Sequence, residues 1–361
     1  VSSDRYRVPV IRHIRADGTV DPTFVSPSIT KGTFPVTVNG LAVAGGRLYV
    51  YGDFEAVNSA VHRGIASLDP ATGTVTAWDA QLASTASPAP GIVYVNRAAV
   101  DGDILYFTGF FDQVSGQART GMAAIDGATG ALREAMFANT PGASVQYISA
   151  AGGRVYVSGS CNPTPTTFAY VCAYTSDGTR IPGWAGVTPD LGGVLVATPS
   201  RIYIAGTVFL GFGNSETRVR GFDPVTGVPD GWQSPRIGDL ASGGYGAVGA
   251  MTATANHVYV GGYIVSAGGV RRNRYAAFDA TTGALTPWYP AVAGEPTSLA
   301  TDGARIAITG SFSSAGGRLS PHLAALDVRT GLPLSLALPA IPAPVNALAA
   351  SGALVVAGAG T

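Results

Sequence analysis

The feature that most constrains this chain is a phrase it repeats. A stretch of the form apolar-Tyr-apolar-x-Gly occurs as LYVYG, LYFTG, VYVSG, IYIAG and VYVGG, and in weaker form as IAITG and LVVAG. These end at Gly52, Gly109, Gly159, Gly206, Gly262, Gly310 and Gly358. Successive glycines are 57, 50, 47, 56, 48 and 48 residues apart, too long a period for a leucine-rich or ankyrin unit and suited to one four-stranded blade. A second marker keeps step: Asp69, Asp126, Asp223, Asp279 and Asp327 each stand 17 residues after their glycine, and each opens Asp-x-x-Thr-Gly. An aspartate there can bond turn amides while the glycine takes positive φ. Five carboxylates in one repeated turn therefore read as turn makers, not as five catalytic or metal sites.

A third element precedes each anchor, as VNGLAV, VNRAAV, VQYISA, VGAMTA, PTSLAT and VNALAA, with GGVLVA the poorest match. The expected order is an inner strand, the Tyr-Gly strand, the strand leading to Asp-x-x-Thr-Gly, and an outer strand ending near Trp78, Trp184, Trp232 or Trp288. The chain stops three residues after Gly358, so its last unit lacks strands three and four, whereas the opening VIRHIRADGTVDPTF reads as those two strands. We therefore expect an all-β fold, a seven-bladed β-propeller with four-stranded blades, residues 1–361 forming a single domain. A composite blade from the N- and C-terminal strands closes the ring and covers the exposed sheet edge.

Composition agrees where it bears on the question. The chain has 49 Gly and 24 Pro and few charges, which favours short strands and many turns over long helices. Formal net charge is zero and Lys31 is the only lysine, so no basic field attracts nucleic acid or an anionic membrane. The start lacks a basic segment followed by an apolar one, which we read as a mature or excised domain. The apolar tail is too short to span a bilayer and reads as a repeat unit, so no membrane insertion is expected.

The phrases LYVYGDFEAVNSAVHRGIASLDPATGTVTAW and LYFTGFFDQVSGQARTGMAAIDGATGAL, with the N-terminal RADGTVDPTF, resemble the bacterial delta-sixty-repeat β-propeller family over essentially the whole chain. The resemblance implies a bacterial propeller, exported or surface-associated, and carries no catalytic residues with it. Blade three departs, with TSDGTR in place of Asp-x-x-Thr-Gly, and blade four carries VFLGFGNSET where a short polar loop is usual.

Aligning the protein with itself places the two cysteines. Cys161 stands where other blades have Phe54, Phe111, Val208, Ile264 and Phe312, and Cys172 aligns with Ala66, Ala123, Arg220, Ala276 and Ala324. A bulky-small pair on antiparallel neighbours is thus exchanged for two sulfurs, and a disulfide is expected, the alternative being two buried thiols. A persistent disulfide implies an oxidising, extracytoplasmic location. Two cysteines with no histidine at ligand spacing cannot fill a tetrahedral zinc site, and no metal or cofactor is expected.

Subtracting what repeats leaves little. Tyr49, Tyr106, Tyr156, Tyr203 and Tyr259 share one strand position and, like the tryptophans, read as packing. The histidines His13, His62, His257 and His322 pair in sequence with no nucleophile. Two residues stand out: where other inner strands carry Gly40, Ala250, Ser298 and Ala347, blades two and three carry Arg97 and Tyr147. The neighbouring position holds Asn39, Asn96, Gln146, Thr297 and Asn346. A partial ring of amides with one arginine and one tyrosine near the channel mouth is a candidate site for a polar ligand, the guanidinium serving a carboxylate or phosphate. The same face carries the irregular loops DAQLASTASPAPGIVY and SPRIGDLASGGYGA and a rim of Glu55, Asp112, Arg119, Glu216, Asp239, Arg271 and Arg272. The expectation is a non-catalytic recognition or scaffold module of an extracellular or cell-surface protein, part of a larger polypeptide or assembly, holding a protein or glycan partner. The alternative is a carbohydrate-active enzyme, a polysaccharide lyase or glycosidase, drawing on Tyr147, Arg97 and Asp112.

Overall fold

Each repeat phrase becomes a strand, and the first six are buried on both faces, which explains why their residues run apolar without alternation: Leu48, Tyr49, Val50 and Tyr51 are all buried. The computed structural model describes residues 9–85, 91–137, 144–160, 170–184, 191–211, 214–238, 246–292, 294–339, 341, 345–351 and 354–359. Among them the only helical segment is the short 3-10 turn Pro182–Trp184, and no helix is long and apolar enough to cross a membrane.

The strands pair antiparallel in chain order. Thr37–Ala44, Arg47–Asp53 and Ile65–Leu68 make the first sheet; Tyr94–Asp101, Ile104–Phe110 and Met122–Asp126 the second; Ser144–Ala151, Arg154–Ser160 and Tyr170–Thr175 the third. Leu191–Ala197, Ile202–Gly211 and Asn214–Phe222 follow as the fourth, Ala247–Ala253, His257–Tyr263 and Tyr275–Asp279 as the fifth, and Glu295–Thr301, Arg305–Ser311 and Leu323–Asp327 as the sixth. A terminal sheet joins the two ends of the chain: Val345–Ser351 pairs with Leu354–Ala359, which pairs in turn with Val10–Ile14, Ile14 facing Val355. No hydrogen-bonded sheet closes on itself. The first strands lie side by side in chain order, and Val345–Ser351 neighbours both Glu295–Thr301 and Thr37–Ala44.

The core sits between sheets. Tyr49 and Ile65 of the first pack with Leu105, Phe107 and Ile125 of the second, Tyr106 and Met122 of the second with Val155 and Tyr174 of the third, and Ile14 of the terminal sheet with Ala307 and Leu323 of the sixth. Each sheet thus buries one face against its predecessor and the other against its successor.

The outer strand differs from expectation. In most units it is reduced to a single antiparallel bridge, such as Leu68 with Val75, Ile125 with Leu132 and Phe278 with Leu285; in the fourth unit it is a strand, Pro229–Gln233. Whether it keeps a strand or only a bridge, the outer segment of four units also engages the next unit through a tryptophan. The indole N–H groups of Trp78, Trp184, Trp232 and Trp288 donate to the carbonyls of Gly130, Pro224, Asp279 and Asp327 at 2.8, 3.1, 3.1 and 3.2 Å. The strand-two tyrosines reach the same turns: Tyr49 donates to Gly127, Tyr156 to Pro224, Tyr203 to Ala280 and Tyr259 to Val328. Tyrosine and tryptophan meet edge to face, as in Tyr259 and Trp288 at 5.1 Å.

The Asp-x-x-Thr-Gly turns form as the sequence predicts. The Asp69 carboxylate accepts from the N–H groups of Ala71 and Thr72 at 2.9 and 2.8 Å and from the Thr72 hydroxyl, and Gly73 takes φ +76°. Asp126, Asp223, Asp279 and Asp327 repeat the pattern.

Candidate functional site

The polar residues of the inner strands share a cause: each is the extra residue of a β-bulge. The register slips between Val38 and Gly40, Val95 and Arg97, Val145 and Tyr147, Pro296 and Ser298, and Val345 and Ala347. Asn39, Asn96, Gln146, Thr297 and Asn346 are therefore left out of the ladder at the inner edge. The anchor glycines answer to the same device. The bulge folds the preceding carbonyl over the second strand, so a Cβ at Gly52 would lie 2.0 Å from the Thr37 oxygen, and one at Gly262 2.0 Å from that of Ala247. In the terminal sheet Ala359, not Gly358, faces Val345, because 13 residues separate Val345 from Gly358 where 14 separate Val38 from Gly52.

At this edge Asn96, Arg97, Gln146 and Thr297 are exposed, and Asn39, Tyr147 and Asn346 are half-buried. The strands of Arg97 and Tyr147 are neighbours, and the guanidinium carbon of Arg97 lies over the Tyr147 ring, 5.1 Å from its centroid. Among the described residues Arg97 has no carboxylate partner and no hydrogen-bond acceptor. Asn39 donates from Nδ2 to the carbonyl of Val95 at 2.9 Å, tying one bulge to the next.

A third aromatic belongs to the cluster. Tyr51 is buried, its hydroxyl fills the space a side chain at position 40 would take, and its neighbours are Arg97 and the main chain of Ala98. Burial pushes its phenol pKa up, against the opposing pull of the Arg97 charge. The signal was in the sequence, since other units hold Thr108, Ser158, Gly261 and Thr309 there. Cross-strand pairing explains the pattern: Tyr51 faces Gly40, whereas Thr108 faces Arg97 and Ser158 faces Tyr147. In these three sheets the bulk at this layer comes from one strand or the other.

The rim needs correction. Arg119 and Arg272 are 4% and 9% exposed and present no charge at the surface. Arg119 donates to the carbonyls of Ala118 and Glu134 at 2.6 and 2.5 Å, and Arg272 to those of Arg271 and Thr286, both at 3.0 Å. With His62, also buried, they stand ten residues after Gly109, Gly262 and Gly52, so they are part of the repeat, the two arginines holding their hairpins to neighbouring segments. Asp112 accepts from the Thr85 N–H and hydroxyl at 2.7 and 3.0 Å and so shapes a loop. Glu216 pairs with Arg218. Glu55 and Arg271 are exposed; Asp239 lies outside the described residues. Arg274, unremarked in the sequence, stacks on Tyr263 at 4.8 Å and pairs with Glu295 at 2.7 Å. Cys172 is fully buried, and Cys161 lies outside the described residues.

No family model matches the sequence, and a search of curated proteins finds no match. Solved structures do resemble it. The WD40 domain of Neurospora crassa Pan2 aligns over 90% of this chain and 89% of its own at 10% identity, with a TM-score of 0.50. The computationally designed Ika8 protein aligns over 92% and 96% at 13% identity, TM-score 0.50. The fold is a β-propeller. A puromycin hydrolase mutant matches 93% of this chain at 14% identity and TM-score 0.50, but the chain spans only 53% of that protein. At these identities the likeness extends to the fold alone.

Proposed function

We propose that this chain is a non-catalytic recognition or scaffold module of an exported bacterial protein, holding a protein or glycan on the face where first strands begin and second strands end. The observation that carries this reading is Arg97: a guanidinium exposed at the inner edge, steadied on Tyr147 and without an acceptor among the described residues. A charged, pre-positioned donor lacking a partner is what a binding site offers before its ligand arrives. The proposal includes seven blades around a ring, the terminal sheet being the composite one, and the chain-order neighbouring of the first strands supports it. It also includes kinship with the delta-sixty-repeat family, supported by the repeat phrases, and a Cys161–Cys172 bridge consistent with export.

The test is binding of a glycan array and of candidate surface proteins by wild type, Arg97→Ala and Arg329→Ala. Arg329 is exposed in an Asp-x-x-Thr-Gly turn at the opposite end of the strands. Binding lost with the first substitution and kept with the second is expected; binding unchanged in Arg97→Ala discards the central site.

A further inference from the structure

Resting on that reading, we infer that the ligand is a glycan bearing a uronic acid, its carboxylate held by the Arg97 fork and its hydroxyls by the bulge amides. The planar guanidinium offers parallel N–H donors matched to a carboxylate. Tyr147 fixes its plane from one side, and Tyr51 fills the space beside it, so little side-chain freedom is lost on binding.

The number of charges selects the anion. Arg97 is the one cation among the residues adjoining the bulges, its counterparts being Gly40, Tyr147, Ala250, Ser298 and Ala347. A polyphosphate or heavily sulfated chain calls for several cations and a positive field, and the net charge here is zero. One fork matches one carboxylate.

The surrounding groups select a sugar over an acidic peptide. Asn39, Asn96, Gln146, Asn346 and Thr297 both donate and accept, as sugar hydroxyls do. A peptide recognised by strand addition needs a regular free edge, whereas each of these inner edges is interrupted by its bulge. Because bulge residues sit on paired strands and not on loops, the amides are held at fixed spacing.

The experiment is calorimetric titration of the full chain with a glucuronate-containing oligosaccharide, its methyl ester, its sulfated counterpart and the neutral glucose analogue. Wild type is expected to bind the free acid at least about tenfold more tightly than the ester or the neutral analogue. Arg97→Gln should bind acid and ester alike, with Arg97→Lys retaining part of the preference and circular dichroism showing all variants folded. Acid and ester bound equally by wild type, the sulfated sugar preferred, acid preference surviving in Arg97→Gln, or no binding of the uronate would each overturn the inference. If some neutral glycan or protein is nevertheless bound through Arg97, recognition at this face stands and only the acidic sugar falls. Binding indifferent to Arg97 removes both.

Discussion

The hydroxyl of Tyr259 donates to the carbonyl of Val328 at 2.6 Å, joining the second strand of the fifth sheet to the turn of the sixth. The same stitch runs from Tyr49 to Gly127 and from Tyr156 to Pro224. Tyr106 sits in the equivalent place and its buried hydroxyl has no partner among the described residues, because the third unit has Thr-Ser-Asp-Gly in place of the turn that supplies the carbonyl elsewhere.

Tyr259→Phe is therefore expected to destabilise by about 1–2 kcal/mol, since it leaves the Val328 carbonyl without its donor. Tyr106→Phe should be neutral or stabilising, as it removes an unpaired polar atom from the core. Urea denaturation of the two variants beside wild type checks the contrast; equal losses would show that the hydroxyl bond does not matter.

The turn carboxylates of Asp69, Asp126, Asp223, Asp279 and Asp327 are held below the usual carboxylate range, first by the main-chain N–H of the threonine three residues on and then by its hydroxyl. A pKa lower in the folded than in the unfolded state stabilises the fold above the unfolded value of 3.8. That stability is lost as pH falls through the depressed native values. Melting temperature should thus hold steady from neutral pH to about 5 and decline below about 4. Asp279→Asn should flatten part of that decline, as thermal melts across pH will show.

Arg119 lies buried with its charge bonded to two carbonyls, and desolvation lowers its pKa. Truncation by Arg119→Ala leaves both acceptors unserved and should cost about 2–4 kcal/mol. Arg271→Ala, at an exposed hairpin residue one position before the equivalent Arg272, should change stability by less than about 0.5 kcal/mol. Chemical denaturation distinguishes a buried strut from a surface charge.

The proposed pairing of Cys161 with Cys172 predicts no reactive thiol in the denatured, unreduced protein and two after reduction, counted by a thiol reagent. Replacing both by alanine should cost roughly 2.5–3 kcal/mol, less any strain relieved, by the loop-closure estimate. Two thiols counted before reduction would remove the bridge.

Periodicity alone determined the all-β class, the unit length and the Asp-x-x-Thr-Gly turns, because those depend on contacts within a few residues: a carboxylate reaching amides two and three positions on, a glycine accepting positive φ. The two outliers Arg97 and Tyr147 were legible too, by departure from their own repeat. Tertiary structure decided the rest. That Gly52, Gly109, Gly262 and Gly310 answer to a bulge on another strand, that Tyr51 completes the cluster through its pairing with Gly40, and that Arg119 and Arg272 face inward all depend on what lies across a strand or in the next sheet. So do the partners of the outer-segment tryptophans, Trp78 and Trp288 each bonding a carbonyl about 40 to 50 residues downstream. Spacing along one strand carries no record of such partners, and burial is set by the neighbour that covers a residue, not by the residue itself.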